Sequence, residues 1–408
     1  MKEKFLRELA DIQTGPFGSQ LHKEDYVADG TPIVTVEHLG NKMFSEQNLP
    51  RVSNTDKNRL KKYVLKQGDI VFSRVGSVDR CSYVDQKHDG WMFSGRCLRV
   101  RPTSEIDSEY LYYYFCLEET KQFVRNIAVG ATMPSINTKL LGEVVVTFPE
   151  LEQQKRISGI LSAIDSKIEV NQKINDNLEQ QAATYFQELF INNANPVWQI
   201  STISDLGTVV GGSTPSKTKP EYYTNNGIAW ITPKDLSINK SKFISHGEND
   251  ITELGLKNSS ATVMPKGTVL FSSRAPIGYI AIASNEVTTN QGFKSVIPYS
   301  EIGTAFVYFF LKHSLPVIES AASGSTFKEI SGSAMKNIPA IIPDRNTLDQ
   351  FNSFCAPIFA QQKILEEQNH SLAMLRDSLL PKLMSGAIDI ASIQLLSLIH
   401  ISEPTRPY

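Results

Sequence analysis

A chain that repeats itself at a shift of half its length is constrained to fold as two copies of one unit. Here "GDIVFSR" at residues 68–74 returns as "GTVLFSSR" at 267–274. Residues 6–39 slide onto 203–236 without a gap, placing Leu9 on Leu206, Gly15 on Gly212, Ser19 on Ser216 and Glu24 on Glu221. The same shift places Tyr26 on Tyr223, Gly30 on Gly227, Thr35 on Thr232 and Leu39 on Leu236. Gly130, Thr132 and Ile136 recur as Gly324, Thr326 and Ile330, and "FPELEQQ" (148–154) is echoed by "IPDRNTLDQ" (342–350). Copies of this length suit an ordinary domain of about 100–200 residues.

Each copy has two parts. Residues 1–149 and 197–343 carry short apolar runs such as "DIVFS" and "EVVVTF", broken by Gly, Pro, Asn and Ser, the pattern of a loop-rich α/β (α+β) domain. Helical spacers follow at 150–192 and 344–390. After Pro149, with Glu150 and Glu152 suited to the positive end of a helix, a seam runs in alternating steps of four and three. It passes through Ile157, Leu161, Ile164, Ile168, Asn171, Asn175, Leu178, Ala182, Tyr185 and Leu189. The same shift gives Phe354, Ile358, Gln361, Leu365, Gln368, Leu372, Leu375 and Leu379 in the second copy. Both seams have a polar middle, and seam asparagines penalise wrong registers. The expectation is two globular domains separated by two long helices packed as a coiled coil, a pseudo-twofold body; the alternative is that each helix lies on its own domain. A run of roughly 25–30 helical residues would be about 40 Å long, with Pro357 a kink and Gly386 a stop.

The chain has 408 residues and a formal net charge of -2, so any nucleic-acid role must rest on local patches. Four cysteines at 81, 97, 116 and 355 form no metal-ligand spacing or disulfide framework and fit a reducing cytoplasm. The N-terminus "MKEKFLRELADI" lacks a signal-peptide core, and no stretch approaches a membrane span. Residues 396–408, "LSLIHISEPTRPY", have no counterpart after the first copy, are similar to translated sequencing-adapter remnants, and are set aside as a non-native tail. Adenine-methylation, phosphate-loop and metal-ligand motifs are not found, and paired carboxylates lack a nucleophile. His22, His38, His88 and His246 are read as polar surface residues. No catalytic residue and no metal ligand is assigned.

The residues then carry a family resemblance. The helical stretches "LEQQKRISGILSAIDSKIEVNQKINDNLEQQAATYFQELF" (151–190) and "LRDSLLPKLMSGAI" (375–388) resemble the central and distal conserved regions of specificity subunits of type I restriction-modification systems. "TGPFGSQLHKEDY" (14–26), "GGSTPSKTKPEYYTNNGIAWITPKDL" (211–236) and "VLFSSRAPIGYIAIA" (269–283) resemble that family's target-recognition domains. The resemblance implies that each domain reads half of a split double-stranded DNA target, that the helices fix the gap and dock two modification (methyltransferase) subunits, and that restriction (translocase/endonuclease) subunits join. It implies no chemistry or cofactor on this chain; S-adenosylmethionine, ATP and magnesium belong on the partner subunits.

Residues shared by both copies should hold the fold or the DNA backbone, because a common residue tends to impose a common letter. Ser19 with Ser216, Ser73 with Ser273, Arg74 with Arg274, and Thr132 with Thr326 fall here, and a salt bridge at a strand end is the other role for the arginines. The basic run "KNRLKKYVLK" adds Lys57, Arg59, Lys61 and Lys62, and Lys294 joins in the second copy; a solvated helix face is the bland alternative for the run. Base readers should differ between the copies: Gln20, Lys23, Glu37 and His38 against Lys217, Lys234 and Asp235, with Asn290 and Gln291 as weaker candidates alongside Ser77, Asp79 and Arg80. An asymmetric target follows. The competing function is a stand-alone duplicated binding module on a coiled-coil hinge.

Overall fold

The computed structural model describes residues 1–18, 20–324 and 328–388, without the side chain of Lys23. The proposed tail at 396–408 lies outside these residues. Two compact units appear: residues 1–168 with those from 371 onward, and residues 169–370. The divisions fall inside the two long helices, not at the domain ends near 149 and 343, so each unit holds one domain and a half of each helix.

In the first unit, four antiparallel strands run in the order Ala10–Thr14, Cys97–Pro102, Ile70–Ser73 and Cys81–Tyr83. A second four-stranded sheet orders Tyr26–Val27, Arg51–Val52, Thr31–Val34 and Met92–Phe93, the last pair parallel. Lys2–Phe5 pairs with Val145–Phe148 and ties the two ends of the domain together. The central strand Ile70–Ser73 is buried on both faces, which explains its unbroken apolar run. Two clusters form the core: one around Phe72, Tyr110, Tyr113 and Phe148, the other around Ile33, Val71 and Phe93.

The second unit repeats this plan. Gly207–Gly211, Lys294–Pro298, Val269–Ser273 and Ile277–Ala283 form the first sheet, with Phe243–Ile244 as a fifth strand at its edge. Tyr223–Thr224, Asn249–Ile251, Ile228–Ile231 and Thr288–Thr289 form the second, and Gln199–Thr202 pairs with Pro339–Ile342. Strand pairing corrects one alignment. Ile70 faces Val100, and Val269 faces Val296, its counterpart, so the central strands superpose Ser73 on Ser272 and Arg74 on Ser273. "GTVLFSSR" therefore carries one residue more, and Arg74 and Arg274 are not equivalents. A one-residue slip in a strand sends a side chain to the opposite face.

The central helix is Leu151–Gln187, extended by a π-turn at Glu188–Asn192; the distal helix is Arg345–Met384. Both exceed the expected length, and the distal helix passes through Pro357 unbroken. Gly386, at φ +74°, supplies the stop. Within each unit the two helix segments pack antiparallel. In the first, Ile157, Ile160 and Leu161 share a core with Leu380 and Leu383, and Arg376 bonds Asp165 at 2.8 Å. In the second, Asn171 donates to Asn369 at 2.9 Å and to Gln368 at 3.4 Å, while Gln362 donates to the carbonyl of Asn175 at 3.1 Å. Ile157, Leu161, Ile164, Asn171 and Ala182 are buried, while Ile168 and Leu178 are half-buried.

The distal seam departs from expectation. Ile358 and Leu365 are buried and Leu372 and Leu379 half-buried, but Phe354 and Leu375 are 40% and 42% exposed and Gln361 is exposed; Gln368 is exposed too, yet still accepts from Asn171. Cys355, Gln362, Asn369 and Arg376 turn inward instead, one residue further round. This helix must also bury Phe351 and Cys355 in the core of the second domain, so its apolar face is broader and rotated relative to a simple two-helix seam.

A lysine, half-buried in the first unit and buried in the second, fastens each domain to its helices. Lys42 donates to Glu109 and Ser162, both at 2.8 Å, while Tyr113 donates to Asp165 at 2.6 Å. Lys242 holds the corresponding place, since its carbonyl receives the sheet N–H of Ile282 as that of Lys42 receives Tyr83's. It donates to Gln362 at 2.6 Å and pairs with Glu179, above the ring of Phe359. Burial raises the Glu179 carboxyl, but Lys242 and Lys312 outweigh this and hold it below the usual range. Burial also depresses the Lys242 ammonium and raises Glu366, whose carboxylate accepts the backbone N–H groups of Lys242 and Phe243.

Candidate nucleic-acid interface

Both domains contain the same backbone crossing. The loop after the first long strand passes so close to the loop after the short parallel strand that glycine is required. A Cβ on Gly15 would lie 2.1 Å from the carbonyl oxygen of Ser94, and one on Gly95 2.3 Å from that of Pro16. In the second copy a Cβ on Gly212 would lie 2.1 Å from the carbonyl oxygen of Asn290. The parallel pairing Val34–Phe93 and Ile231–Thr289 delivers each second loop to the same place. The frame is shared and its edge is not. Phe17 and Arg96 project in the first domain, Thr214 and Gln291 in the second.

In the first domain Phe17 is 55% exposed, and the guanidinium of Arg74 lies 5.8 Å from its ring centre while donating to the carbonyl of Gly95 at 3.1 Å. A cleft of about 540 Å³ opens beside them, lined among others by Tyr26, Glu37 and Arg96. The basic run joins this edge. Arg59 donates to the backbone carbonyl of Gln20 at 2.8 Å, and Tyr63 donates to its side-chain oxygen at 2.6 Å. Gln20 is thus half-buried and committed. Lys61 and Lys62 are exposed, Lys62 lying 4.8 Å from the Tyr63 ring centre, and Lys57 is half-buried. The run has no acid within it, yet Asp56, one residue before, pairs with Arg59 at 2.7 Å and offsets part of its charge.

In the second domain the Thr214 hydroxyl bonds the side-chain oxygen of Gln291, and Trp230 and Tyr223 donate to the carbonyls of Ser213 and Pro215, fixing the loop. Lys217 and Ser216 are exposed. Lys234 pairs with Glu248 at 2.5 Å, Asn290 turns back to cap the N–H of Gly292, and Glu329 lies within 3.6 Å of both Lys294 and Arg274.

Two expected base readers have another task. His38 is 2% exposed, accepting the N–H of Thr35 at Nδ1 and contacting the carbonyl of Gln47 at 3.0 Å through Nε2. Asp235, its counterpart, accepts the N–H and hydroxyl of Thr232 and the N–H of Glu248. The two unlike side chains close the same turn, so their difference is structural. His88 is likewise buried, between Asp85 and the Trp91 ring, and is no surface residue. Ser73 and Ser273 are buried in the sheet and cannot reach phosphate. Asp79 and Arg80 bond Arg125 and the Leu39 carbonyl, respectively. Thr132 is exposed. Ser19, Thr326 and the side chain of Lys23 lie outside the described residues.

Arg96, Phe17 and Tyr26 escaped the sequence reading. Their signal was present in Gly15 and Gly95, whose positions mark the crossing, but pairing those glycines requires the parallel strand contact. Among the described residues, no cluster of three or more His, Cys, Asp or Glu is placed to hold a metal, and no helix is long and apolar enough to cross a membrane.

Two copies of one mixed domain, each clamped to an antiparallel helix pair and presenting the same backbone crossing with unlike side chains, define a duplicated recognition protein. Similarity to known proteins narrows this class. Residues 1–180 and 196–369 match the family described as type I restriction modification DNA specificity domain. The chain is 43% identical over 162 residues to the type I restriction enzyme MjaIX specificity subunit of Methanocaldococcus jannaschii, spanning 39% of this chain and 37% of that one. It is 24% identical over 407 residues to the HindI specificity subunit of Haemophilus influenzae, covering 80% of this chain and 88% of that one. The crystal structure of a type I restriction-modification system S subunit from M. genitalium superposes with a TM-score of 0.58 at 17% identity, covering 94% of this chain and 95% of that one, and shares the fold. The chain belongs to the type I restriction-modification DNA specificity family and carries two copies of its domain.

Proposed function

We propose that this chain reads a split, asymmetric DNA target, one half through each domain, while the helix pair sets the unspecific gap and docks two methyltransferase subunits. One observation carries the reading: the glycine crossing is built twice on the same backbone, with different side chains at its edge. A shared frame positions, and unlike edges specify unlike letters. The chain performs no chemistry of its own. The methyltransferase subunits bring S-adenosylmethionine, and restriction subunits with ATP and magnesium supply translocation and cleavage, all in the cytoplasm. Mapping N6-methyladenine across the genome, in cells expressing the chain with its modification subunit against cells lacking the chain, tests this. A new motif of two unlike short halves with a fixed gap is expected, and exchanging residues 1–149 should change one half only. The absence of chain-dependent methylation, with a modification subunit active alongside another specificity subunit, would refute it.

A further inference from the structure

We infer that Arg96 in the first domain and Gln291 in the second are specificity-determining residues, each reading a base edge in the major groove of duplex DNA. The inference rests on the DNA-reading function proposed above and names the side chains that execute it.

The argument starts from the frame. Both side chains leave the three-residue loop that the glycine crossing locks, and that loop is anchored alike in the two domains: Ser94 donates to the carbonyl of Val34 at 2.8 Å, and Asn290 to that of Ile231 at 3.0 Å. A reader on a rigid loop loses little conformational freedom on binding. Several nearby cations are already committed, while Lys61, Lys62 and Lys217 stay exposed and suit the phosphates. Arg74 is tied to Gly95, Arg59 to Asp56 and Gln20, Lys234 to Glu248, and Arg274 and Lys294 to Glu329. Arg96 is exposed at the mouth of the cleft and has no ion pair or side-chain hydrogen bond among the described residues. A guanidinium free at such an edge matches the paired acceptors O6 and N7 of guanine. Gln291 is exposed, and the Thr214 hydroxyl orients its amide by bonding the oxygen, leaving the NH₂ group to donate. An oriented amide matches adenine, donating to N7 and accepting from N6. The two residues occupy adjacent positions of the loop and not the same one, so each half-site is approached by a different reach. The exposed Phe17 offers an apolar contact beside Arg96 that suits a thymine methyl group.

The test uses the full chain assembled with its modification subunit and selects bound duplexes from a randomised library, with N6-methyladenine mapping in cells as a second readout. Arg96→Ala should relax one position in one half of the selected motif by roughly 10–100-fold, and Gln291→Ala one position in the other half. Arg96→Lys should retain part of the preference. A bipartite wild-type motif left unchanged by both alanine variants would overturn this inference and leave the DNA-reading function standing. Equal loss from both halves in Arg96→Ala and Arg96→Lys alike would also overturn it, since misplacement of the whole complex would then be the cause. Selection of no motif by the wild-type assembly, together with no chain-dependent methylation, would overturn both.

Discussion

Replacing Lys242 by methionine should unlatch the second domain from its helices. The Lys242 side chain is 6% exposed, so the substitution strands Glu179 in a site that is itself only 23% exposed. Removing one partner of a buried pair costs about 3–5 kcal/mol. Lys312 at 2.5 Å and the Tyr308 hydroxyl at 3.3 Å still reach Glu179, which places the expected loss near the lower end, about 3 kcal/mol. Lys242→Met with Glu179→Leu removes both charges and keeps the volume, and should cost less than the single change, a coupling of roughly 2 kcal/mol. Hydrogen exchange by mass spectrometry measures the units separately. The slowest amides of Val269–Ser273 should exchange about 100-fold faster in Lys242→Met, those of Ile70–Ser73 at the wild-type rate, because about 1.4 kcal/mol is a factor of ten. An acceleration below threefold, or a double variant as damaged as the sum of its single changes, would refute the reasoning.

Acidification should act on the same niche with two opposed slopes. Glu179 titrates below its unfolded value of about 4.3, so its contribution is present above that pH and lost as pH falls through the lowered folded value; Glu366 titrates above its own, so stability is gained as pH falls through it. Denaturant midpoints between pH 6 and 3 should therefore fall less steeply in Glu179→Gln and more steeply in Glu366→Gln. Asn171→Leu removes a fully buried amide whose oxygen lacks a partner among the described residues, and should raise the melting temperature while weakening the register set by Asn369. Trapping an engineered cysteine pair one helical step out of register would detect that slippage. Ile157→Ala, at 1% exposure in the core of the first unit, should cost about 2–5 kcal/mol, measured by exchange at Ile70–Ser73. Gly212→Ala should disturb the second half of the DNA motif and spare the first, since its Cβ meets backbone at 2.1 Å.

Duplication, the mixed domain and the central seam were legible because they are periodic: a shift near 197 residues and a step of three and four survive any tertiary detail. The distal seam was half legible. Its positions were transferred from the first copy, but Cys355 answers to a domain core that no helical period encodes. Strand register was less legible still, because "LFSSR" differs from "VFSR" by one serine, and it takes strand pairing, Val269 with Val296 and Ser272 with Phe293, to show where that extra residue lies. At the candidate site, difference between the copies was a poor guide to role. Glu37 and Lys234 remain exposed, whereas His38 and Asp235 differ because a histidine ring and a carboxylate close one turn equally well. Gly15 and Gly95 marked the frame, but eighty residues of chain separate them.

The interleaving of the units also sets a timetable for synthesis. The second unit is a continuous segment, 169–370, whereas the first needs the stretch around Leu380 and Leu383 to cover its helix. While a ribosome adds those roughly 200 intervening residues, at about 5–20 per second, Ile157, Ile160 and Leu161 wait some 10–40 seconds for Leu380 and Leu383. The domain begun first is therefore the one finished last. During that interval the part of the helix face that Leu380 and Leu383 cover lies open, and a ribosome that stalls within the second domain leaves it uncovered.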